Sequence, residues 1–107
     1  MPGFLANFDA IKGKGVDTVA CIAVNDPFVM GAWAKDVKTG DKIVMLSDGN
    51  GEFTEAMGLT LDASRAGLGK RSQRYAMIVE DGTITQLFVE KPGAFEASTA
   101  ENVLKYL

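Results

Sequence analysis

Apolar and polar positions recur along this chain at spacings that predict helices and strands in alternation. Phe4, Phe8 and Ile11 recur at helical spacing and predict a first helix over residues 3–14. Residues 18–24 are apolar at successive positions, which is typical of a strand buried on both faces. The chain therefore starts with a helix that is followed by an interior strand.

The middle of the chain predicts a second helix, a second strand and a third helix. Asp26 suits the N-cap and Pro27 the first position of the second helix. Residues 43–46 form a short apolar run that predicts a strand, and residues 52–57 predict a short helix that Gly58 ends. Each of these elements follows a turn rich in Asn, Asp or Gly.

The last part of the chain predicts a β-hairpin and a closing helix. Asp81-Gly82 lies between two apolar runs, residues 75–79 and 83–89, which is a strong hairpin signal. Residues 98–101, Ser-Thr-Ala-Glu, form a capping box before an apolar helix. The predicted order is α-β-α-β-α-β-β-α, an α/β fold expected to be a three-layer sandwich with a mixed sheet.

Composition narrows the classes of protein. A length of 107 residues predicts one domain over residues 1–107, and a net charge of −3 argues against a nucleic-acid partner. The apolar runs are too short to cross a bilayer, and no secretory leader pattern is present, so we expect no membrane partner and a cytoplasmic location. Cys21 is the one cysteine and histidine is absent, so no metal and no cofactor are expected.

Every arginine of the chain falls within residues 65–74. Arg65, Arg71 and Arg74, with Lys70, make a basic and glycine-bearing stretch that we predict to be a loop. Because the guanidinium is a rigid fork of donors suited to anions, the stretch is a candidate working surface. The alternative is a solvated basic turn that balances the acidic residues of the chain.

Two weaker candidates lie elsewhere. Gly67 and Gly69 suggest an anion-binding loop, but they do not follow a strand and open a helix, so a phosphate site is disfavoured. Asp48, Asn50 and Glu52 alternate like the start of a calcium loop, but the rest of that motif is missing. We expect a turn followed by a capped helix there.

Three segments carry a resemblance to a known family. They are Pro-Gly-Phe at residues 2–4, Ala-Cys-Ile-Ala-Val-Asn-Asp-Pro-Phe-Val-Met-Gly-Ala-Trp at 20–33, and Gly-Lys-Arg-Ser-Gln-Arg-Tyr-Ala-Met-Ile-Val-Glu-Asp-Gly at 69–82. Over essentially its whole length the chain resembles the type II (atypical, peroxiredoxin-5-like) peroxiredoxins. The resemblance implies an incomplete thioredoxin-like fold and thiol-dependent reduction of hydrogen peroxide and organic hydroperoxides. Arg74 matches the family's active-site arginine, which stabilises the thiolate and orients the peroxide.

The family's nucleophile has no match in these residues. In the family it lies in a Pro-x-x-x-Thr-x-x-Cys motif just before the Pro-Gly-Phe segment, and that motif is absent here. The second, resolving cysteine of some family members would fall near Ala97, so it is absent too. Cys21 lies in an apolar run, where burial makes a thiol inert, so we interpret it as a structural thiol. By resemblance we expect this chain by itself to be inactive, and a complete form to use glutaredoxin or thioredoxin.

The resemblance also predicts partners. In the family a central strand lies between those matching residues 18–24 and 75–79, so we expect these two strands either to pair directly or to accept a strand from another chain. The expected assembly is a homodimer or a strand-exchanged oligomer. Phe28 and Trp33 are either core residues of a helix or interface residues, and Arg71 either sets its loop or pairs with a carboxylate at an interface.

Three hypotheses about function follow. The first is a thiol peroxidase of the peroxiredoxin family that lacks its N-terminal third. The second is a non-catalytic interaction module that uses the family's dimer surface. The third is an enzyme of another class that uses the arginine stretch, which charge clustering alone suggests.

Overall fold

The computed structural model of the chain describes residues 2–91 and 94–107. The chain divides into two compact units: Thr18–Gln73 forms one, and the residues up to Asp17 together with Arg74–Leu107 form the other. Each unit contains its own helices and its own strand pairs. The single domain over residues 1–107 stays a prediction.

The described residues form helices, strands and one 3₁₀ turn. In chain order they are α1 Pro2–Ala6, α2 Phe8–Gly13, β1 Val19–Ala23, α3 Pro27–Val37, β2 Ile43–Ser47, α4 Glu52–Ala56, β3 Thr60–Ala63, the 3₁₀ turn Ser64–Ala66, β4 Gly69–Ser72, β5 Tyr75–Glu80, β6 Thr83–Val89 and α5 Ala100–Leu104. The α/β class predicted from the sequence is confirmed, and the sheets among the described residues are small and open.

The first strand pair is a parallel crossover unit. Strand β1 pairs with β2, with Cys21 opposite Met45, and α3 connects the two. Helix α3 begins as predicted, because the Asp26 carboxylate accepts the Val29 N–H at 2.8 Å and Pro27 occupies the first turn. The helix ends at Lys38, whose φ of 58° is left-handed. Local capping signals therefore set both ends of this connection.

Strand β1 is less buried than its apolar sequence predicts. Among the described residues β1 pairs with β2 alone and β5 with β6 alone, and no residue of β1 is fully buried. Strand β1 lies in the unit Thr18–Gln73 and β5 in the other unit, so the expected direct pairing or strand exchange between them stays a prediction. The ladders β3–β4 and β5–β6 join strands with short connections, which lowers the entropy cost of pairing, whereas β1 and β2 are connected through α3.

Met30 is the centre of the core of the unit Thr18–Gln73. It is 2% exposed on the inner face of α3, and Ile43 and Leu59 are buried in the same unit. Phe28 lies on the same helix but is 89% exposed, while Trp33 is half-buried. The helix therefore contributes Met30 to the core and leaves Phe28 in solvent, so the core interpretation of Phe28 is wrong.

The stretch 65–74 contains a strand, so its prediction as a loop is wrong. Strand β4 pairs antiparallel with β3, and Leu61 lies opposite Arg71. Neither strand shows the alternation of apolar residues that marks a strand in sequence, since they read Thr-Leu-Asp-Ala and Gly-Lys-Arg-Ser. Gly67 makes the connection possible, because its φ of 73° is a conformation that side chains disfavour. The order therefore gains a hairpin that the pattern does not reveal.

The other unit contains the hairpin predicted at Asp81-Gly82. Strands β5 and β6 pair antiparallel, and both turn residues have positive φ, 50° for Asp81 and 77° for Gly82. This geometry matches the twist of the two strands, which is why Asp-Gly is favoured in such turns. The predicted hairpin is confirmed.

The first helix is interrupted where the sequence predicts continuity. Asn7, with ψ of 11°, separates α1 from α2, and its side-chain amide donates to the Gly3 carbonyl at 2.8 Å. Asparagine competes for backbone groups in this way, which interrupts helices. Ile11 is buried in this unit, as are Ala100 and Val103 of α5.

The start of α5 differs from the predicted capping box. Thr99 is the N-cap, and its hydroxyl accepts the Asn102 N–H at 3.2 Å. Ser98, the expected cap, instead donates its hydroxyl to the Glu90 carboxylate at 2.7 Å. The box at Ser98 is therefore wrong by one residue, because a buried carboxylate engages the serine.

Candidate functional site

The arginine stretch contains arginines in different settings. Arg65 is exposed in the 3₁₀ turn, Arg71 is half-buried on β4, and Arg74 is exposed on the segment between β4 and β5. Arg65 and Arg71 belong to the unit Thr18–Gln73, whereas Arg74 begins the segment Arg74–Leu107 of the other unit.

Arg71 binds an asparagine that is distant in sequence. Its Nη2 donates to the Asn25 Oδ1 at 2.6 Å. Asn25 lies in the turn between β1 and α3, and its carbonyl also accepts the Ser47 hydroxyl at 2.6 Å. The Val-Asn-Asp-Pro segment and the Lys-Arg-Ser segment, both singled out in the sequence, are thus joined by this bond. This contact supports the interpretation that Arg71 sets local structure, while its role at an interface stays a prediction.

A small depression adjoins this bond. It encloses about 90 Å³. Its walls come from the turn after β2, from α4 and from the β3–β4 hairpin, and its lining residues are Val24, Gly49, Asn50, Gly51, Thr54, Thr60, Lys70 and Arg71. The volume suits about one to three water molecules, which is smaller than a typical ligand pocket.

Asp48 is a structural carboxylate and not the start of a calcium loop. It accepts the Phe53 N–H at 3.1 Å, the Thr54 N–H at 2.8 Å and the Thr54 hydroxyl at 2.6 Å. The bond from the Thr54 hydroxyl is the main cause that lowers the pKa of Asp48, while burial opposes it. Within residues 2–91 and 94–107, no group of three or more His, Cys, Asp or Glu side chains is arranged to hold a metal ion. The expected turn and capped helix are what the structure contains.

Arg74 presents its guanidinium at the surface against an aromatic ring. Its guanidinium carbon lies 4.7 Å from the centroid of the Phe95 ring, within the range of a cation–π contact. The backbone of Arg74 is held as well, since its carbonyl accepts the Glu90 N–H at 3.0 Å. The side chain is exposed, so its donors can reach an anion or a polar oxygen in solution. Chemically, this is a charged and oriented hydrogen-bond donor.

Glu90 is a neighbour of Arg74 that sequence reasoning missed, and its backbone N–H donates to the Arg74 carbonyl. It is 7% exposed, and its carboxylate accepts hydrogen bonds from the backbone N–H groups of Glu96, Ala97 and Ser98 as well as from the Ser98 hydroxyl, at 2.7 to 3.0 Å. Burial alone would raise the pKa of Glu90, but these bonds outweigh it and lower the pKa from 4.5 to about 2. The only sequence signal was an acid at the end of an apolar strand.

The four hydrogen bonds that the Glu90 carboxylate accepts from Glu96, Ala97 and Ser98 are called the Glu90 clamp. This clamp is expected to make the free energy of unfolding depend on pH. A carboxyl whose pKa is lower in the folded state stabilises that state above its unfolded pKa, and loses this as pH falls through the folded pKa. For Glu90 the window runs from about 4.5 down to about 2. We expect Glu90→Gln to have a lower urea midpoint than the wild type at neutral pH, and this difference in midpoint to shrink as the pH falls through this window. A difference that stays constant with pH would contradict a lowered pKa of Glu90.

Cys21 lies in a setting that disfavours reactivity. It is half-buried on β1 between Ala20 and Ile22, and burial raises the pKa of its thiol. A raised pKa means that little thiolate is present at neutral pH, and the thiolate is the nucleophile. This environment is consistent with the predicted structural role, which stays a prediction.

The interface candidates differ in exposure. Phe28 is 89% exposed and Val29, beside it, is 47% exposed, whereas Trp33 is half-buried. An exposed phenylalanine next to an exposed valine is an apolar patch available to a partner. In the part of the chain that the structure describes, no helix has the length and apolar character needed to cross a membrane.

Comparison with known proteins gives a consistent result. The family model described as Redoxin matches residues 1–104. The chain is 49% identical to Peroxiredoxin-2E, chloroplastic, of Arabidopsis thaliana, with 100% of this chain and 47% of that protein aligned. It is 43% identical to Peroxiredoxin-2B of the same plant, with 100% and 66% aligned. The chain thus spans about half to two thirds of the length of these relatives.

A solved structure matches the fold closely. The crystal structure of reduced Prx3 in complex with hydrogen peroxide, from Vibrio vulnificus, superposes with a TM-score of 0.93 at 48% sequence identity. The match covers 98% of this chain and 64% of that chain.

Proposed function

This chain belongs to the redoxin family and is related to its type II peroxiredoxins, and from that premise we propose that it carries the arginine half of a peroxide-reducing thiol site. The observation that carries the proposal is the setting of Arg74, an exposed guanidinium oriented by the Phe95 ring. The relative crystallised with hydrogen peroxide supports peroxides as the substrate class.

The role proposed for Arg74 follows from the charges of the reaction. A thiolate attacks one peroxide oxygen, the O–O bond breaks, and the thiolate becomes a sulfenic acid while the leaving oxygen takes a proton to give water or an alcohol. Negative charge moves from sulfur to the leaving oxygen. A fixed guanidinium stabilises both the thiolate and the developing oxyanion, because its donors and its charge are already in place.

We propose that the thiolate does not come from these 107 residues. The Thr-x-x-Cys motif that the family places before its Pro-Gly-Phe segment is absent from the sequence. Cys21 is half-buried with a raised pKa, which is a poor setting for a nucleophile. The chain by itself is therefore expected to be inactive, and thiols such as those of glutaredoxin or thioredoxin would reduce the sulfenic acid of a complete form.

A peroxide-consumption assay tests this proposal. The 107-residue chain alone and its Cys21→Ser variant are expected to consume no peroxide above the buffer rate in the presence of excess dithiol. A chimera, in which the part of Peroxiredoxin-2B that the family places before Pro-Gly-Phe is joined in frame before Pro2, is expected to consume peroxide. Turnover by the chain alone that Cys21→Ser abolishes would overturn the assignment of the nucleophile, and a folded chimera without activity would overturn the function.

A second candidate, a non-catalytic interaction module, is favoured by the 89% exposure of Phe28. The module would bind a second copy of the chain or a complete relative through that patch. Light scattering after size exclusion separates the candidates when it is read with the assay. The interaction module is favoured if the chimera is inactive and the 107-residue chain forms a dimer that Phe28→Ser dissociates. The peroxidase is favoured if the chimera is active.

A further inference from the structure

We propose that Phe95 is a positioning residue for Arg74, and that the Glu90 carboxylate holds Phe95 in place. The proposal rests on the proposed function for one point, namely that Arg74 acts on a thiolate and a peroxide. The orientation of Arg74 by Phe95 is a property of this chain and does not depend on that function. It concerns residues that all lie in the segment Arg74–Leu107 of one compact unit.

The contact between Arg74 and Phe95 occurs where neither side chain is buried. Arg74 is exposed and Phe95 is 55% exposed, yet the guanidinium carbon lies 4.7 Å from the ring centroid. An exposed arginine has many rotamers of similar energy, so a ring beside its guanidinium selects among them. The ring thereby limits the directions in which the Arg74 donors point.

Glu90 connects the two partners of this contact. Its backbone N–H donates to the Arg74 carbonyl at 3.0 Å, which fixes the backbone of Arg74 just before β5. Its side chain accepts the Glu96 N–H at 2.8 Å, the N–H of the residue that follows Phe95. One residue thus fixes the backbone on both sides of the cation–π contact.

Further bonds fix the turn that carries Phe95. The Glu90 carboxylate also accepts the Ala97 and Ser98 N–H groups at 3.0 and 2.8 Å. The Asn102 side chain donates to the Ala97 carbonyl at 2.7 Å, and the Thr99 hydroxyl donates to the Glu96 carbonyl at 3.0 Å. A turn held at so many points keeps the ring in one place, although the ring itself is largely in solvent.

The arrangement differs from ordinary surface packing in one respect. A buried carboxylate that binds several backbone N–H groups is costly to desolvate unless those bonds are made. Here the bonds hold the turn that follows Phe95, although the Phe95 side chain is itself largely exposed. The same bonds hold the start of α5, whose Ala100 is buried, and they orient the exposed Phe95 ring in addition.

Nuclear magnetic resonance on the 107-residue chain tests the proposal without any peroxidase activity. In the wild type the Arg74 side-chain protons next to the guanidinium are expected upfield of ordinary arginine values, because the guanidinium carbon lies over the Phe95 ring at 4.7 Å from its centroid. Phe95→Leu is expected to abolish this shift, and Phe95→Tyr, which keeps a ring, to preserve it. Phe28→Leu is the matched control on an exposed phenylalanine of the other unit and is expected to leave the shift unchanged.

The Glu90→Gln variant is the second test. Because its amide replaces one acceptor oxygen with a donor, the turn is expected to loosen. The upfield chemical shift of the Arg74 side-chain protons is then expected to become smaller, even in a variant that remains folded. An Arg74 shift that is absent in the wild type, or that survives Phe95→Leu, would overturn the positioning role. A ring-dependent shift combined with an inactive chimera would instead overturn the peroxidase function and leave the positioning intact.

Discussion

Replacing Met30 with alanine is expected to lower the free energy of unfolding by about 2–5 kcal/mol. Met30 is 2% exposed and is the largest fully buried side chain among the described residues. Truncation removes its buried methylene and thioether groups and leaves a cavity in the core of the unit Thr18–Gln73. Urea unfolding followed by circular dichroism measures the loss as a lower midpoint with an unchanged slope.

Phe28→Ala is the matched control for that measurement. Phe28 lies two residues before Met30 in the same helix but is 89% exposed. A surface substitution of this kind changes stability by less than about 0.5 kcal/mol. Equal losses for the two variants would contradict the assignment of the helix faces. A lower midpoint for Phe28→Ala that depends on protein concentration would instead reveal that this patch is buried in an oligomer.

Arg74→Ala is expected to lower the kcat/KM of the chimeric peroxidase by about 10²- to 10³-fold, the range for loss of one preorganised donor to a developing oxyanion. The thiol pKa is expected to rise as well, because a cation beside a thiol favours the thiolate and its removal takes that support away. The ascending limb of the pH–rate profile should therefore move to higher pH. Stopped-flow peroxide reduction measured against pH gives both quantities.

Two further arginine variants sharpen the result. Arg74→Lys keeps the charge and loses the planar fork, so we expect a smaller loss of rate and a nearly unchanged pH profile. Arg65→Ala removes an exposed arginine of the 3₁₀ turn and is expected to leave the rate unchanged. An equal loss from Arg65→Ala and Arg74→Ala would show that general positive charge, and not the oriented guanidinium, accounts for the effect.

The elements predicted correctly are those with local signals. Asp26 and Pro27 predict the start of α3 because an N-cap and its helix are adjacent in sequence. Asp81-Gly82 predicts the hairpin because both residues tolerate positive φ. In each case the interacting groups lie within a few residues of one another, so the sequence contains the whole interaction.

The elements predicted wrongly are those whose partners lie elsewhere. Strands β3 and β4 are short and polar, and it is their pairing that defines them. Ser98 was expected to cap α5, but the Glu90 carboxylate engages it and Thr99 becomes the cap. Strand β1 was expected to be buried on both faces, and pairing with β2 alone leaves it partly exposed. A pattern of apolar residues does not specify which neighbours are present.

The sequence by itself determined the family and singled out Arg74, because short motifs of specific residues carry that information. Only the tertiary structure decided what surrounds the arginines. Arg71 binds Asn25, 46 positions away, and Arg74 lies against Phe95 through a turn that Glu90 holds. The physical reason is that a guanidinium acts through the direction of its donors, and that direction depends on contacts between residues far apart in the chain.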